Sequence, residues 1–137
     1  MTIEVLADSA HSPGYATLPD VPEYSLAVNM ICAMPSLEEV VAYAIGRLGF
    51  ETNDGYYGIA YPPLGRPADG TGLADIPSEM VQVWEFWGIA DADKRLLFER
   101  DYLEILSNIL RINKWIAEAD EIEQVRLAID SNTAIFR

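Results

Sequence analysis

The chain has a single cysteine, a single histidine and no long apolar run, and each scarcity removes a class of chemistry. Cys32 alone excludes an intrachain disulfide. Embedded in N-M-I-C-A-M, it reads as a small packed hydrophobe rather than a nucleophile paired with His11. One histidine and one cysteine do not supply the usual ligands of a zinc site. His11 stands among Ser9, Ser12, Pro13 and Gly14, a loop setting in which an imidazole is solvated. No apolar run approaches the roughly 20 residues of a membrane-spanning helix. The opening M-T-I-E-V-L-A-D lacks the basic-then-apolar order of a secretory signal. The expectation is a soluble cytoplasmic protein that takes no metal, no cofactor and no membrane partner.

Cations are scarce as well, and unevenly so. The net charge is −13, from 22 acidic and 9 basic residues. Residues 1–93 hold 14 carboxylates against Arg47 and Arg66, while residues 94–137 hold 8 against 7 basic side chains. Nucleic acid needs cations facing its phosphates, so it is excluded as a partner. A basic protein would be attracted and its association accelerated. Solubility alone also favours acidic surfaces, but it does not demand so uneven a distribution.

With 137 residues, half of them apolar, the chain can bury about two-thirds of its unfolded surface in one domain. Its organising stretch is Glu79 to Leu110. Val81, Val83, Trp84, Phe86 and Trp87 are β-branched or aromatic and suit a strand over 80–88. Period two puts Met80, Gln82, Trp84 and Phe86 on one face, expected to meet the core, and Val81, Val83, Glu85 and Trp87 on the other. Gly88 and A-D-A-D are turn chemistry, so 94–99 is expected to return antiparallel. Tyr102, Leu103, Leu106, Ile109 and Leu110 then form a helical stripe over about 100–113.

Elsewhere, T-I-E-V-L-A predicts a short strand with Ile3 and Val5 on one face. Residues 8–22 read as irregular, punctuated by proline and glycine. Y-S-L-A-V-N-M-I-C-A reads as a buried strand, a short helix being the alternative that so brief a run leaves open. A helix is predicted over 36–48, with Ser36 and Glu39 forming a capping box and Gly49 closing it. E-T-N-D-G is a turn into the strand Y-Y-G-I-A-Y. Residues 62–78 form a long loop; its glycines lack phosphate-loop order, and Asp69, Asp75 and Glu79 are too sparse for calcium. A last helix is expected over 119–131, with Asp120, Glu121 and Glu123 at its positive end and Asn132 at its close. The tail T-A-I-F-R is left as a final strand or a frayed end. The predicted class is α+β: a small, mostly antiparallel sheet packed against an N-terminal-half helix and two C-terminal helices.

No pair of residues forms a catalytic signature. Glu85 beside Trp84 and Trp87 is the best acid–base candidate, because apolar neighbours raise a carboxyl pKa. The acidic hairpin V-W-E-F-W-G-I-A-D-A-D before the amphipathic R-D-Y-L-E-I-L-S-N-I-L resembles the immunity proteins of bacterial toxin systems, those of contact-dependent growth inhibition most of all. That resemblance implies a non-enzymatic cytosolic inhibitor that covers one cognate toxin. Asp54, Asp69, Asp75, Glu79, Glu85, Asp91 and Asp93 are the candidate partner-binding carboxylates, with Tyr56, Tyr57 and Trp87 as aromatic anchors. The alternatives are a small enzyme or ligand-binding domain using 62–78 as a lid, and a mimic of nucleic acid.

Overall fold

The computed structural model describes residues 2–10, 14–62 and 76–136, with 131–136 described by their backbone. His11, Asp69, Asp75 and most of the 62–78 loop lie outside the described residues. The order is β1 (Glu4–Ala7), β2 (Tyr15–Leu18), α1 (Pro22–Ala33), α2 (Leu37–Gly46), β3 (Phe50–Thr52) and β4 (Tyr57–Ala60), then β5 (Met80–Trp84), β6 (Lys94–Phe98), α3 (Glu99–Ile112) and α4 (Ile116–Phe136). Strands β1 and β2 pair as one antiparallel sheet, and β3-β4-β5-β6 form a second in that order. The class is α+β, as the sequence predicts. No described helix is long and apolar enough to cross a membrane.

The run Y-S-L-A-V-N-M-I-C-A belongs to helix α1 and is not a strand. Pro22 enters at the first turn, where its fixed φ fits and no N–H is needed. Tyr24, Leu26, Ala27, Val28, Met30 and Ile31 are all buried, because α1 packs on the four-stranded sheet and on α3. A helix covered on several sides is apolar nearly all round and shows no period to read. The short Y-A-T-L segment, inside the span expected to be irregular, pairs with β1 and sets Thr17 opposite Val5.

The faces of β5 are the reverse of the expectation. Val81 and Val83 are fully buried beneath α1 and α3, while Met80, Gln82 and Trp84 are half-buried on the other face. Trp84 lies across Gly58 of β4, where a Cβ would come within 2.1 Å of the indole Cζ2. Both faces of β5 carry apolar residues, so alternation shows that two faces exist but not which one the helices cover. The strand also stops at Trp84, not Gly88, because Phe86, Trp87 and Gly88 adopt left-handed φ of 50°, 57° and 67°.

Helix α2 keeps its predicted start: the Ser36 hydroxyl accepts the Glu39 N–H. Its close is different. Arg47, not Gly49, takes the left-handed position, with φ 52°. Its guanidinium makes a bidentate bond to the buried Glu99 at 2.9 Å on both arms, so a tertiary contact overrides the local preference for glycine. Helix α3 buries the predicted Tyr102, Leu103, Leu106, Ile109 and Leu110. Helix α4 begins three residues before 119 and continues past Asn132 to Phe136. Glu118 therefore occupies its first turn, and Asp120 and Glu121 lie beyond it. Ile122 is buried and Val125 and Ile129 pack on the core, whereas Ala128 is exposed.

Candidate protein-binding site

Two short turns meet at one end of the four-stranded sheet. The first joins β3 to β4 through Asn53, Asp54 and Gly55, all at positive φ. The second follows β5 through Phe86, Trp87 and Gly88, also at positive φ. Left-handed conformations are uncommon for residues other than glycine, and for a tryptophan the surroundings must hold them. Here the turns hold each other. The Trp87 N–H donates to the Tyr56 carbonyl at 3.1 Å, the Trp87 Nε1–H to the Asp54 carbonyl at 3.1 Å, and the Trp84 Nε1–H to the Gly55 carbonyl at 3.1 Å.

The result is an aromatic tip centred on Tyr56. Its ring lies 4.7 Å from Tyr57, 4.9 Å from Phe86 and 4.9 Å from Trp87, in edge-on or tilted arrangements. Such contacts favour a fixed cluster over independent side chains. Phe86 remains 48% and Trp87 55% exposed, and Ile89 stands beyond them in solvent. Large apolar groups gathered at a surface mark an interaction site more often than isolated ones do.

Two carboxylates, Glu85 and Asp93, adjoin this tip. The Glu85 N–H bonds the Asp93 carbonyl at 2.9 Å, which brings the two acidic residues side by side. Desolvation raises the Glu85 carboxyl above its ordinary value, and the Asp93 charge raises it further. Tyr56 is raised by desolvation, then by Tyr57, Glu85 and Asp93, and Tyr57 by burial and Glu85. No cation enters among the causes that shift these three groups. The site thus sets Glu85 and Asp93 next to aromatic surface, with the Lys94 stem packed by Gly88 at its edge. Aromatic faces beside carboxylates are complementary to a guanidinium or ammonium group.

Of the partner-binding residues expected from sequence, the fold brings Asp54, Tyr56, Tyr57, Glu85, Trp87, Asp91 and Asp93 to this end of the sheet. Glu79 lies at the other end of β5, where its carbonyl accepts the Glu99 N–H, so it does not join them. Asp69 and Asp75 are outside the described residues. Phe86 is the residue the sequence reading misplaced, having assigned it to the core; the Gly88 turn signal next to it was the available clue to its exposure. The charged group that acts on Glu85 is the Asp93 carboxylate beside it. Cys32 is half-buried and its thiol is pushed up to about 11 by burial, which keeps it protonated and unreactive. Among the described residues, no group of three histidine, cysteine or acidic side chains is arranged to hold a metal ion.

Comparison with protein-family models, curated proteins and solved structures finds no match to this chain.

Proposed function

We propose that this protein is a non-enzymatic inhibitor of the immunity type, acting in the cytoplasm by capturing a basic cognate toxin through the aromatic tip. The observation that carries this reading is the Tyr56–Phe86–Trp87 cluster, with Phe86 and Trp87 exposed, fixed by interlocked turns and set beside Glu85 and Asp93. Preorganised aromatic anchors reduce the entropy lost on docking, and aromatic residues dominate the energy of most protein interfaces. The carboxylates around them attract a basic partner and select against acidic ones. The resemblance to contact-dependent growth inhibition immunity proteins supplies the partner class, and the charge asymmetry of residues 1–93 supports a basic target.

The test compares the wild type with Phe86→Ser/Trp87→Ser as immobilised bait in host extract. The expected captured protein is basic, toxic when expressed alone, and lost from the double variant. Its association rate with Asp91→Lys/Asp93→Lys should fall and lose salt dependence. Asp20→Lys is the control, since Asp20 is exposed and lies outside the turns that build the tip. Equal rates for the two variants, or an unchanged captured set for the tip variant, would remove the site from the interface.

A further inference from the structure

Helix α2 carries more apolar surface than the other described residues cover. Glu38, Val41, Ala42 and Ile45 recur at helical spacing along one flank, while Val40 and Ala44 are buried in the core. Facing that flank are Lys114 and Trp115 of the α3–α4 turn and Ile116, Ala117, Glu118 and Glu121 of α4. Together they enclose an open groove of about 750 Å³. Val41 is buried at its base, whereas Ile45 is 40% and Ile116 48% exposed.

The carboxylates of α4 are sorted by side. Asp120 pairs with Arg111 at 3.1 Å, and Arg126 takes Glu123 at 2.8 Å and Asp130 at 3.3 Å. Glu118 and Glu121, with Glu38 across the groove, form no ion pair with another described residue. Arg111 and Arg126 are paired on the far side of α4, and the groove side carries three carboxylates with Lys114 as the one lining cation among the described residues.

We propose that this groove docks an amphipathic helix of a partner protein, with lysines or arginines flanking its apolar stripe. A trough between two helices accepts a third helix through anchors at positions i, i+3, i+4 and i+7. Its apolar side would lie on Val41, Ile45 and Ile116, and its cations would meet Glu38, Glu118 and Glu121. A second copy of this chain is a poor occupant, because a two-fold contact sets like carboxylates against one another. The groove shares no lining residue with the aromatic tip, so the two surfaces stand or fall separately.

The test titrates the isotopically labelled full chain with a synthetic peptide of about five turns, leucine at helical spacing and lysine elsewhere. A leucine/glutamate peptide of the same pattern serves as comparison. Saturable amide shifts are expected at 41–45 and 114–121 with the lysine peptide alone. Ile116→Gln should weaken binding about tenfold and Glu121→Lys about threefold, the order expected for an apolar anchor and a rim charge. Both positions are exposed, so both variants should melt as the wild type does. Shifts confined to 54–57 and 85–88 would overturn the groove and leave the tip reading intact. Absence of saturation, equal binding of the glutamate peptide, or self-association of the chain through Ile116 would each overturn it as well.

Discussion

Replacing Arg47 by methionine tests whether tertiary electrostatics, rather than local sequence, closes helix α2. The guanidinium binds Glu99 through Nε and one terminal nitrogen, each at 2.9 Å, and sits 5.9 Å from the Tyr61 ring centroid. The Glu99 side chain is 2% exposed and that of Arg47 41% exposed. Methionine keeps the apolar stem and the same left-handed backbone cost, so the comparison isolates the guanidinium. Breaking a buried ion pair from one side costs about 3–5 kcal/mol, because a charge is left desolvated. The exposed half of Arg47 admits water to Glu99, so the expected loss is nearer 2–3 kcal/mol, discounted for solvent screening. Glu99→Gln leaves the arginine solvated and should cost about 1 kcal/mol, the scale of a hydrogen bond. In Arg47→Met/Glu99→Leu no charge is stranded, and the double variant should be more stable than Arg47→Met alone. Urea unfolding at neutral pH with unchanged slope measures all three. An Arg47→Met loss below about 0.5 kcal/mol, the level of an ordinary surface change, would refute the reasoning. A double variant no better than the single would do the same.

Further predictions concern the sheet and its ionisable groups. Val83→Ala should cost about 2 kcal/mol by lost burial plus a cavity, and Phe86→Ala less than about 1 kcal/mol. The reverse order in urea midpoints would restore the opposite assignment of strand faces. Gly58→Ala should cost about 1–3 kcal/mol as an overpacking change and shift tryptophan emission, because Trp84 must leave strand β4. Unchanged emission and stability would show that the indole does not lie there. Glu85 and Glu123 should respond to pH with opposite signs. Glu85 is raised in the fold by desolvation and Asp93, so its contribution worsens as pH rises above about 4.5, and Glu85→Gln should stabilise at neutral pH but not in acid. Burial works to raise Glu123, but hydrogen bonds from Arg126 and Ser107 outweigh it and lower its pKa. Its contribution is present above about 4.5 and lost on acidification, so Glu123→Gln should destabilise only at the higher pH. Parallel pH profiles for the two variants would contradict both assignments.

What was legible from sequence was local. The Ser36 N-cap onto Glu39, the α3 stripe and the antiparallel return of β6 on β5 each depend on residues a few positions apart, and each is found. Of the predicted capping box only this half forms, since the Glu39 carboxylate takes no bond from the Ser36 N–H among the described residues. What was not legible depends on neighbours far along the chain. The α1 segment carries no period because it is packed on several sides, and the faces of β5 are decided by α1 and α3. Arg47 ends α2 because Glu99 waits across the core. At the site, turn signals at 53–55 and 88–93 located most of the acidic and aromatic residues. The interlock that fixes them, and the exposure of Phe86, follow from how the two turns face one another.

That interlock has a consequence for how the surface can change over generations. The β3–β4 turn presents the Asp54, Gly55 and Tyr56 carbonyls, and the donors to them come from Trp84 and Trp87 on the other side. Adding or removing a residue in the first turn would displace those carbonyls, and in the second the Trp87 donors, and either change would release both loops at once. Exposed side chains such as Phe86, Ile89 and Asp91 carry no such bond in this interlock. A lineage built on this scaffold can therefore follow a changing partner by substitution at these positions. Insertions and deletions at the tip should be rare among its descendants, even where the amino acids differ.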